Sequence, residues 1–397
     1  NALLETYVFP DDAEAMAERL GDRLDSGAYD DAADPGVFCR LINEDLHSVR
    51  RDLHLHADLA PPQPPEPPEE RRAAEEEQMR EEVRRFNYGF RRLEMLEGNV
   101  GYLRLDAFVN AGVGGATAVA AMDFLANADA IIFDLRSNGG GSPSMIQLIS
   151  SYLFEEPEHL NDFYIRTGDR TKQFWTQAHI EGTRRPEVPV FVLTSGRTFS
   201  AAEEFTYNLK HMERATIVGE VTRGGAHPVQ RFRVEGYPIV VALPFGRAIN
   251  PVTGTNWEGT GIEPHIQVAA EQALDTAHLE ALETLENATE DPVRKQQLAL
   301  ARARVTIETA PIELDEAQLQ DYAGLYGMYR IAVIDGTLVV YVEADLTLPM
   351  TPIGDDGFLI EGMDGVLVRF HRNDSGVVTA VSSHHHGIEE RFPRARE

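Results

Sequence analysis

Ser200 lies in the segment TSGRTFSAAEEF, where an apolar run is followed by a polar corner and then by residues that favour a helix. A serine in the first turn of a helix lies beside free backbone N–H groups and the positive end of the helix dipole, which stabilise an anion that forms next to its Oγ. Serine is also a preferred N-cap, and Glu203 stands three residues on, as in a capping box. Ser200 is therefore a candidate nucleophile or an N-cap, and the two roles are compatible.

The second candidate element is the glycine loop SNGGGS, which follows the buried strand predicted from AIIFDLR. Because glycine lacks a Cβ atom, the backbone N–H groups of such a loop can approach a ligand closely. The chain has neither a Gly-Lys-Ser/Thr nor a GxGxxG signature here, which argues against nucleotide binding. A tight strand-to-helix turn is the other interpretation of this loop.

A serine nucleophile needs a base, and the candidates are His54 in DLHLHAD and His227 in GGAHP. His211 stands too far along the helix after Ser200, about 16 Å from its start at a rise of 1.5 Å per residue. Glu258, in NWEGTG, is a loop carboxylate that can orient a base. Since the chain lacks HEXXH and its single cysteine is remote, we predict no metal site.

The composition describes a globular protein with an acidic surface. The 397 residues include 65 acidic and 36 basic residues, a formal net charge of −29. Such a surface repels nucleic acid and anionic lipid, so we expect neither as a partner. No apolar run reaches the roughly 18 to 20 residues that span a bilayer, so membrane insertion is not expected. The single cysteine, Cys39, excludes an intramolecular disulfide, and the composition leaves the oligomeric state open.

The pattern along the chain predicts an α/β protein of several parts. Alternating strands and helices predict a sheet with some parallel pairing, and the short β-runs with Asp-Gly turns near the end predict an antiparallel barrel or sandwich. The predicted parts are a helical N-terminal subdomain (1–60), a proline-rich linker and polar helix (61–88), a catalytic core (89–270), closing helices and a connector (271–310), and a small antiparallel β domain (311–397).

Four segments together resemble the S41 serine peptidases, a family that includes C-terminal processing proteases, the tricorn core and the interphotoreceptor retinoid-binding protein repeats. The segments are DLRSNGGGSPS, LTSGRTFSAAEEF, VGEVTRGGAHP and NWEGTGIEP, in the family's order and spacing. The opening helices are similar to those of the retinoid-binding branch, so the resemblance covers about residues 7–268. It implies a mixed-sheet, crotonase-like ββα core, and the final segment resembles β-barrel modules appended to bacterial hydrolases.

The resemblance also implies residue roles. Ser200 stands at the position of the nucleophile. The backbone N–H of Ala201 and that of one glycine of the Gly140-Gly141 pair stand at the positions of the oxyanion hole.

The resemblance assigns the base as well. His54 and Glu258 match the histidine base and its glutamate partner in the tricorn-like branch, with Leu53 in place of the serine that precedes the histidine there. Gly225 stands where processing proteases carry a lysine base, so a Ser-Lys pair is excluded. No segment is long enough for the PDZ domain of the processing proteases.

These residues predict a serine-type peptidase that cleaves peptides or proteins through an acyl-enzyme, without a cofactor. A free histidine titrates near pH 6.5, so activity should rise through roughly pH 6 to 7.5. Two alternatives remain: a non-catalytic protein that binds an apolar, retinoid-like or lipid-like ligand, and an esterase-like hydrolase with His227 as base. We expect an exported bacterial protein, periplasmic or extracellular.

Overall fold

The structure is a computed structural model that describes residues 1–60, 68–309, 311–342, 346–363, 366–385 and 388–395. The chain divides into two compact units, one of residues 1–94 and 101–273 and one of residues 95–100 and 274–397. The first part of the predicted proline-rich linker, 61–67, lies outside the described residues. None of the described helices has an apolar stretch long enough to cross a membrane.

The elements follow the predicted order. The helices are α1 Ala2–Thr6, α2 Pro10–Asp25, α3 Pro35–Val49, α4 Pro68–Arg85, α5 Ala111–Phe124, α6 Pro143–Ser150, α7 Ala201–His211, α8 Ala273–Ala288, α9 Pro292–Thr309 and α10 Glu316–Tyr322. The strands are β1 His56–Leu59, β2 Phe90–Leu96, β3 Val100–Leu105, β4 Ala130–Asp134, β5 His159–Ile165, β6 Arg170–Trp175, β7 Val190–Thr194, β8 Thr216–Gly219, β9 Val229–Arg233, β10 Ile239–Pro244, β11 Gly246–Ile249, β12 Ile266–Gln267, β13 Gly324–Tyr326, β14 Tyr329–Ile334, β15 Thr337–Tyr341, β16 Thr347–Gly354, β17 Gly357–Ile360, β18 Leu367–Arg372, β19 Val378–His385 and β20 Ile388–Pro393.

The first unit is built on a mixed six-stranded sheet in the order β12-β8-β7-β4-β3-β2. The pairs β4–β7, β7–β8 and β8–β12 are parallel. Every residue of β4 and β7 is buried, as expected for parallel strands covered on both faces. The predicted α/β fold class with its mixed-sheet core is therefore confirmed.

The N-terminal helices hold the segment that carries His54. Proline stands at the start of both α2 and α3, and the Asp34 side chain accepts a hydrogen bond from the Val37 amide at 3.0 Å to cap α3. Their apolar faces enclose Leu55 in a core cluster with Met16 and Leu46. Burial of Leu55 thereby fixes the position of the residue before it.

Two smaller sheets complete the first unit. Strands β1, β10 and β9 form an antiparallel sheet, and β11, β5 and β6 form another. The sequence patterns predict neither the β5–β6 hairpin nor β11. Strand β6, RTKQFW, is exposed at every position except Phe174, so it lacks the apolar alternation that indicates a strand.

The second unit ends in an eight-stranded antiparallel meander, β13 to β20. The two edge strands meet, because Tyr326 bridges to Arg394 and the Ala395 amide donates to the Leu325 carbonyl at 2.7 Å. Closure removes the exposed edges of the sheet. The barrel prediction for the C-terminal segment is confirmed.

Candidate active site

The strand order brings two loops together. Strands β4 and β7 are parallel neighbours, so the loops after them leave the same edge of the sheet. The Thr198 hydroxyl donates to the Leu135 carbonyl at 2.9 Å, and the Phe199 amide donates to the Asn138 carbonyl at 3.1 Å. These two hydrogen bonds hold the glycine loop next to the turn that leads to Ser200.

Ser200 occupies a sharp turn between β7 and α7. Its backbone has φ 56° and ψ −119°, a region that residues other than glycine rarely adopt. The Ser200 amide donates to Glu203 Oε2 at 2.8 Å, which is the reciprocal half of the predicted capping box. Ser200 Oγ lies 3.2 Å from His54 Nε2, within hydrogen-bond reach. The GxSxG signature is absent, yet the turn presents the serine in a comparably strained conformation.

The glycine loop leaves one of its two candidate amides available. The Gly140 amide donates to the Asn138 side chain at 2.8 Å, while the Asn138 Nδ2 atom donates to the Leu105 carbonyl at 2.8 Å. The amides of Gly141 and Ala201 donate to no acceptor among the described residues. Both residues line the same cleft as Ser200. The geometry therefore favours Gly141 over Gly140 as the partner of Ala201 in an oxyanion hole.

His54 lies in a turn that precedes β1, and its imidazole is only 7% exposed. The ring stacks on Phe199 at a centroid distance of 4.5 Å, and the His54 amide donates to Asp52 Oδ1 at 3.0 Å. Burial lowers the pKa of His54 to about 4, against the opposing effect of the nearby Asp52 charge. The imidazole is neutral at pH 7, so it can accept a proton.

His227, the alternative base, is also buried and lines the same cleft. Its Nδ1 lies 2.7 Å from Asp52 Oδ2, which also accepts from the Tyr7 hydroxyl at 3.1 Å. Burial tends to raise the pKa of Asp52, but the hydrogen bond and charge of His227 outweigh it and the pKa is lowered. With Nδ1 engaged by Asp52, Nε2 is the His227 nitrogen that remains for the cleft.

Glu258 contacts His227 rather than His54. Glu258 Oε2 accepts from the Ala226 amide at 2.6 Å and lies 3.5 Å from His227 Nδ1. Burial raises the pKa of the Glu258 carboxyl. Glu258 Oε1 and His54 Nδ1 are both buried, and neither makes a hydrogen bond within the described part of the chain. The orienting role of Glu258 toward His54 stays a prediction.

Asp52, His227 and Glu258 form the one group of described residues whose side-chain ligand atoms lie close enough together to hold a metal ion, all within 4.8 Å. Asp52 already hydrogen-bonds His227 and Tyr7, and Glu258 Oε2 accepts from the Ala226 amide and lies 3.5 Å from His227 Nδ1. Hydrogen bonding accounts for the cluster without an ion.

Glu203 joins the serine turn to a distant loop. Besides the Ser200 amide, its carboxylate accepts from the Thr222 hydroxyl at 2.5 Å and from the amides of Gly224 and Gly225 at 2.6 and 2.9 Å. The side chain is fully buried, and burial raises its pKa to about 7 although all four donors favour the charged form. The loop at 222–225 is thereby held beside the nucleophile.

Gly225 allows His54 to reach Ser200. A Cβ atom at position 225 would lie 2.7 Å from His54 Cε1 and 2.2 Å from Phe199 Cε2. The same space cannot hold both the histidine ring and a longer side chain from position 225. A lysine base at this position and a His54 base exclude one another.

Five of the candidate residues open onto one cleft of about 530 Å³: His54, Gly141, Ser200, Ala201 and His227. Its walls come from the glycine loop, the β5–β6 hairpin, the loop before β9 and the loop after β11. They include Asn110, Gly141, Gln147, Phe163, Ile165, Lys172, Phe174, Glu204, Val229, Phe245 and Trp257.

Sequence reasoning did not assign roles to three residues that hold this site together. Asp52 precedes the histidine segment, Asn138 lies in the glycine loop and Glu203 was recognised only as a cap. The only sign of their importance in the sequence is that they are polar residues next to the motifs. The groups that they bind are remote in sequence. Only the fold identifies what each one binds.

The Gly225→Ala substitution should destabilise the protein by about 1–3 kcal/mol, because the added methyl group overpacks the His54–Phe199 stack. Urea unfolding measures the change. Gly196→Ala is the matched control, since its nearest new neighbour would be 3.9 Å away, and it should lose much less stability. Equal stabilities for the two variants would contradict the packing argument.

Comparison with known proteins finds similarity to one peptidase family. The model of peptidase family S41 matches residues 99–268. Similar solved structures include the photosystem II D1 C-terminal processing protease, at 25% identity over 43% of this chain and 43% of that chain with a TM-score of 0.37. A lipoprotein from Streptococcus agalactiae matches at 16% identity over 71% of this chain and 93% of that one, with a TM-score of 0.46.

The tricorn protease matches at 18% identity over 52% of this chain and 18% of that chain, with a TM-score of 0.31. The chain thus spans less than half the length of the D1 processing protease. The glycine loop, the serine turn, the GGAHP loop and the NWEGTG loop all fall inside the matched segment. Residues 99–268 belong to peptidase family S41.

Proposed function

We propose that this protein is a serine peptidase that hydrolyses peptide bonds in peptides or proteins through an acyl-enzyme. The observation that carries the proposal is the 3.2 Å approach of His54 Nε2 to Ser200 Oγ in a cleft with two unengaged amides. Membership of the matched segment in peptidase family S41 supports the reaction class.

In the proposed reaction, neutral His54 takes the proton of Ser200 Oγ as this oxygen attacks the scissile carbonyl carbon. The developing oxyanion accepts hydrogen bonds from the amides of Gly141 and Ala201. The imidazolium then gives its proton to the leaving amine, and the acyl group stays on Ser200. Water, activated by His54, releases the acyl group as a carboxylic acid.

Glu258 is proposed to stabilise the imidazolium. When Nε2 accepts the Ser200 proton, Nδ1 of His54 must carry a hydrogen, and this buried donor has no acceptor within the described residues. Glu258 Oε1 is a buried acceptor that makes no hydrogen bond of normal geometry within the described residues. The two unpaired atoms are complementary, and an unpaired buried polar atom is costly, so their pairing during the reaction would lower the energy of both.

Ser200→Ala should abolish labelling by a fluorophosphonate probe and reduce kcat by at least about 10³-fold, because the acyl-enzyme cannot form. Mass spectrometry of the labelled wild-type protein should locate the probe on Ser200. Folded wild-type protein that takes up no probe would contradict the proposal and favour the alternative of an apolar-ligand binding protein.

The two histidines are distinguished by comparing His54→Ala with His227→Ala. Since His54 contacts Ser200 directly, its removal should lower kcat/KM by on the order of 10³-fold or more, and removal of His227 by much less. The rates at which the fluorophosphonate probe labels Ser200 in the two variants provide a second measurement, and labelling should slow more in His54→Ala than in His227→Ala. The reverse order would make His227 the base, as in the esterase-like alternative.

The pH dependence should differ from that of an ordinary histidine. Activity requires neutral His54, whose pKa burial lowers to about 4, so kcat/KM should fall only as the pH drops through about 4 and not through 6 to 7.5. The measurement is a profile of kcat/KM against pH, made on protein that is shown to stay folded at each pH. A midpoint near 6.5 would assign the fall in kcat/KM to a different group.

A further inference from the structure

Glu204 is a buried acid that the proposed mechanism does not use. It lies on α7, four residues after Ser200, and is only 3% exposed. Its side chain lines the same cleft as the candidate nucleophile. Four residues along a helix correspond to a rise of about 6 Å, so the carboxyl group is one helical turn from the reacting centre.

No lysine or arginine among the described residues forms an ion pair with the Glu204 carboxyl group. Burial raises its pKa to about 8, and only the Asn161 side chain opposes this shift. Asn161 is itself fully buried, and neither its amide nitrogen nor its amide oxygen makes a hydrogen bond of normal geometry within the described residues. Unsatisfied buried polar groups of this kind are costly, and Glu204, which lines the cleft, is the member of the pair that a ligand in the cleft can reach.

We propose that Glu204 and Asn161 form the polar end of a specificity subsite, which binds the side chain of a lysine or arginine directly before the scissile bond. This inference rests on the proposed function, because it names the substrate class of the same cleft. In the empty cleft the raised pKa leaves much of the Glu204 carboxyl group protonated at pH 7. A bound ammonium or guanidinium group stabilises the carboxylate form, because it brings a positive charge and several hydrogen-bond donors to it.

The walls of the cleft suit such a side chain. Phe163 and Phe174 provide apolar surface along which the aliphatic stem of lysine or arginine can pack. Lys172 is the other charged residue of the described cleft lining apart from the histidines, but its side chain is exposed and its ammonium lies 4.8 Å from the Phe174 ring centroid. Solvent screens its charge far more than the charge of a group bound at Glu204.

The long-range field acts in the same direction. The formal net charge of −29 attracts cationic segments and raises the rate at which they encounter the protein. A negative field alone selects no residue within the substrate. Selection at one position requires a buried group such as Glu204.

The test uses fluorogenic peptides that are identical except for lysine, arginine, norleucine or glutamate before the scissile bond. Norleucine has the stem of lysine without its charge. The full chain should cleave the lysine and arginine peptides with a kcat/KM at least about 10-fold above that of norleucine, since a hydrogen bond to a charged group is lost. Glu204→Gln should remove that preference, so that the lysine and arginine peptides are cleaved no faster than the norleucine peptide.

The control variant is Glu155→Gln, which makes the same charge change at an exposed position and should keep the preference. Equal rates for the lysine and norleucine peptides, or a lysine preference that survives Glu204→Gln, would overturn the inference. Fluorophosphonate labelling of Ser200 in each variant reports whether the reacting centre is intact.

A binding measurement separates failure of this inference from failure of the proposed function. In the Ser200→Ala background no acyl-enzyme forms, and peptide affinity is measured directly. The lysine peptide should bind at least about 10-fold more tightly than the norleucine peptide, and the added Glu204→Gln change should remove the difference. This difference supports the subsite even if the wild-type chain proves inactive, and its absence overturns the subsite even if Ser200 is labelled.

Discussion

The buried carboxylate of Glu203 is the contact on which the site depends. It accepts hydrogen bonds from the serine turn and from three groups of the loop at 222–225. A carboxylate is costly to bury unless donors surround it, so the four contacts must form together. Glu203 therefore fixes the strained backbone of Ser200 relative to the loop that precedes His227.

The space beside Ser200 admits one base at a time. His54 enters from the N-terminal subdomain and stacks on Phe199, which is possible because position 225 has no side chain. A residue with a long side chain at 225 would occupy the volume of the imidazole ring. A long side chain at position 225 and the His54 ring therefore exclude one another, and the glycine at this position leaves the space to the histidine.

Asp52 connects the two histidines. One oxygen accepts from the His54 amide and the other lies 2.7 Å from His227 Nδ1. Its negative charge favours protonation of His54, while burial of the ring disfavours it more strongly, so the imidazole stays neutral. Glu258 joins the same cluster through His227. The acid–base behaviour of the cleft thus belongs to the cluster rather than to one histidine.

The sequence by itself determined the α/β class, the order of most helices and strands, the antiparallel C-terminal β domain and the residues of the motifs. These follow from local periodicity, caps and turns, which relate residues only a few positions apart. The β5–β6 hairpin that walls the cleft was not predictable in this way, because its exposed strand is stabilised by pairing and not by an apolar pattern. Only the tertiary structure decided that His54, 146 residues before Ser200, reaches its hydroxyl, that Glu258 contacts His227, and that Gly141 keeps its amide unengaged. The physical reason is that each of these contacts requires several remote segments to be packed in one arrangement, and no single segment carries that information.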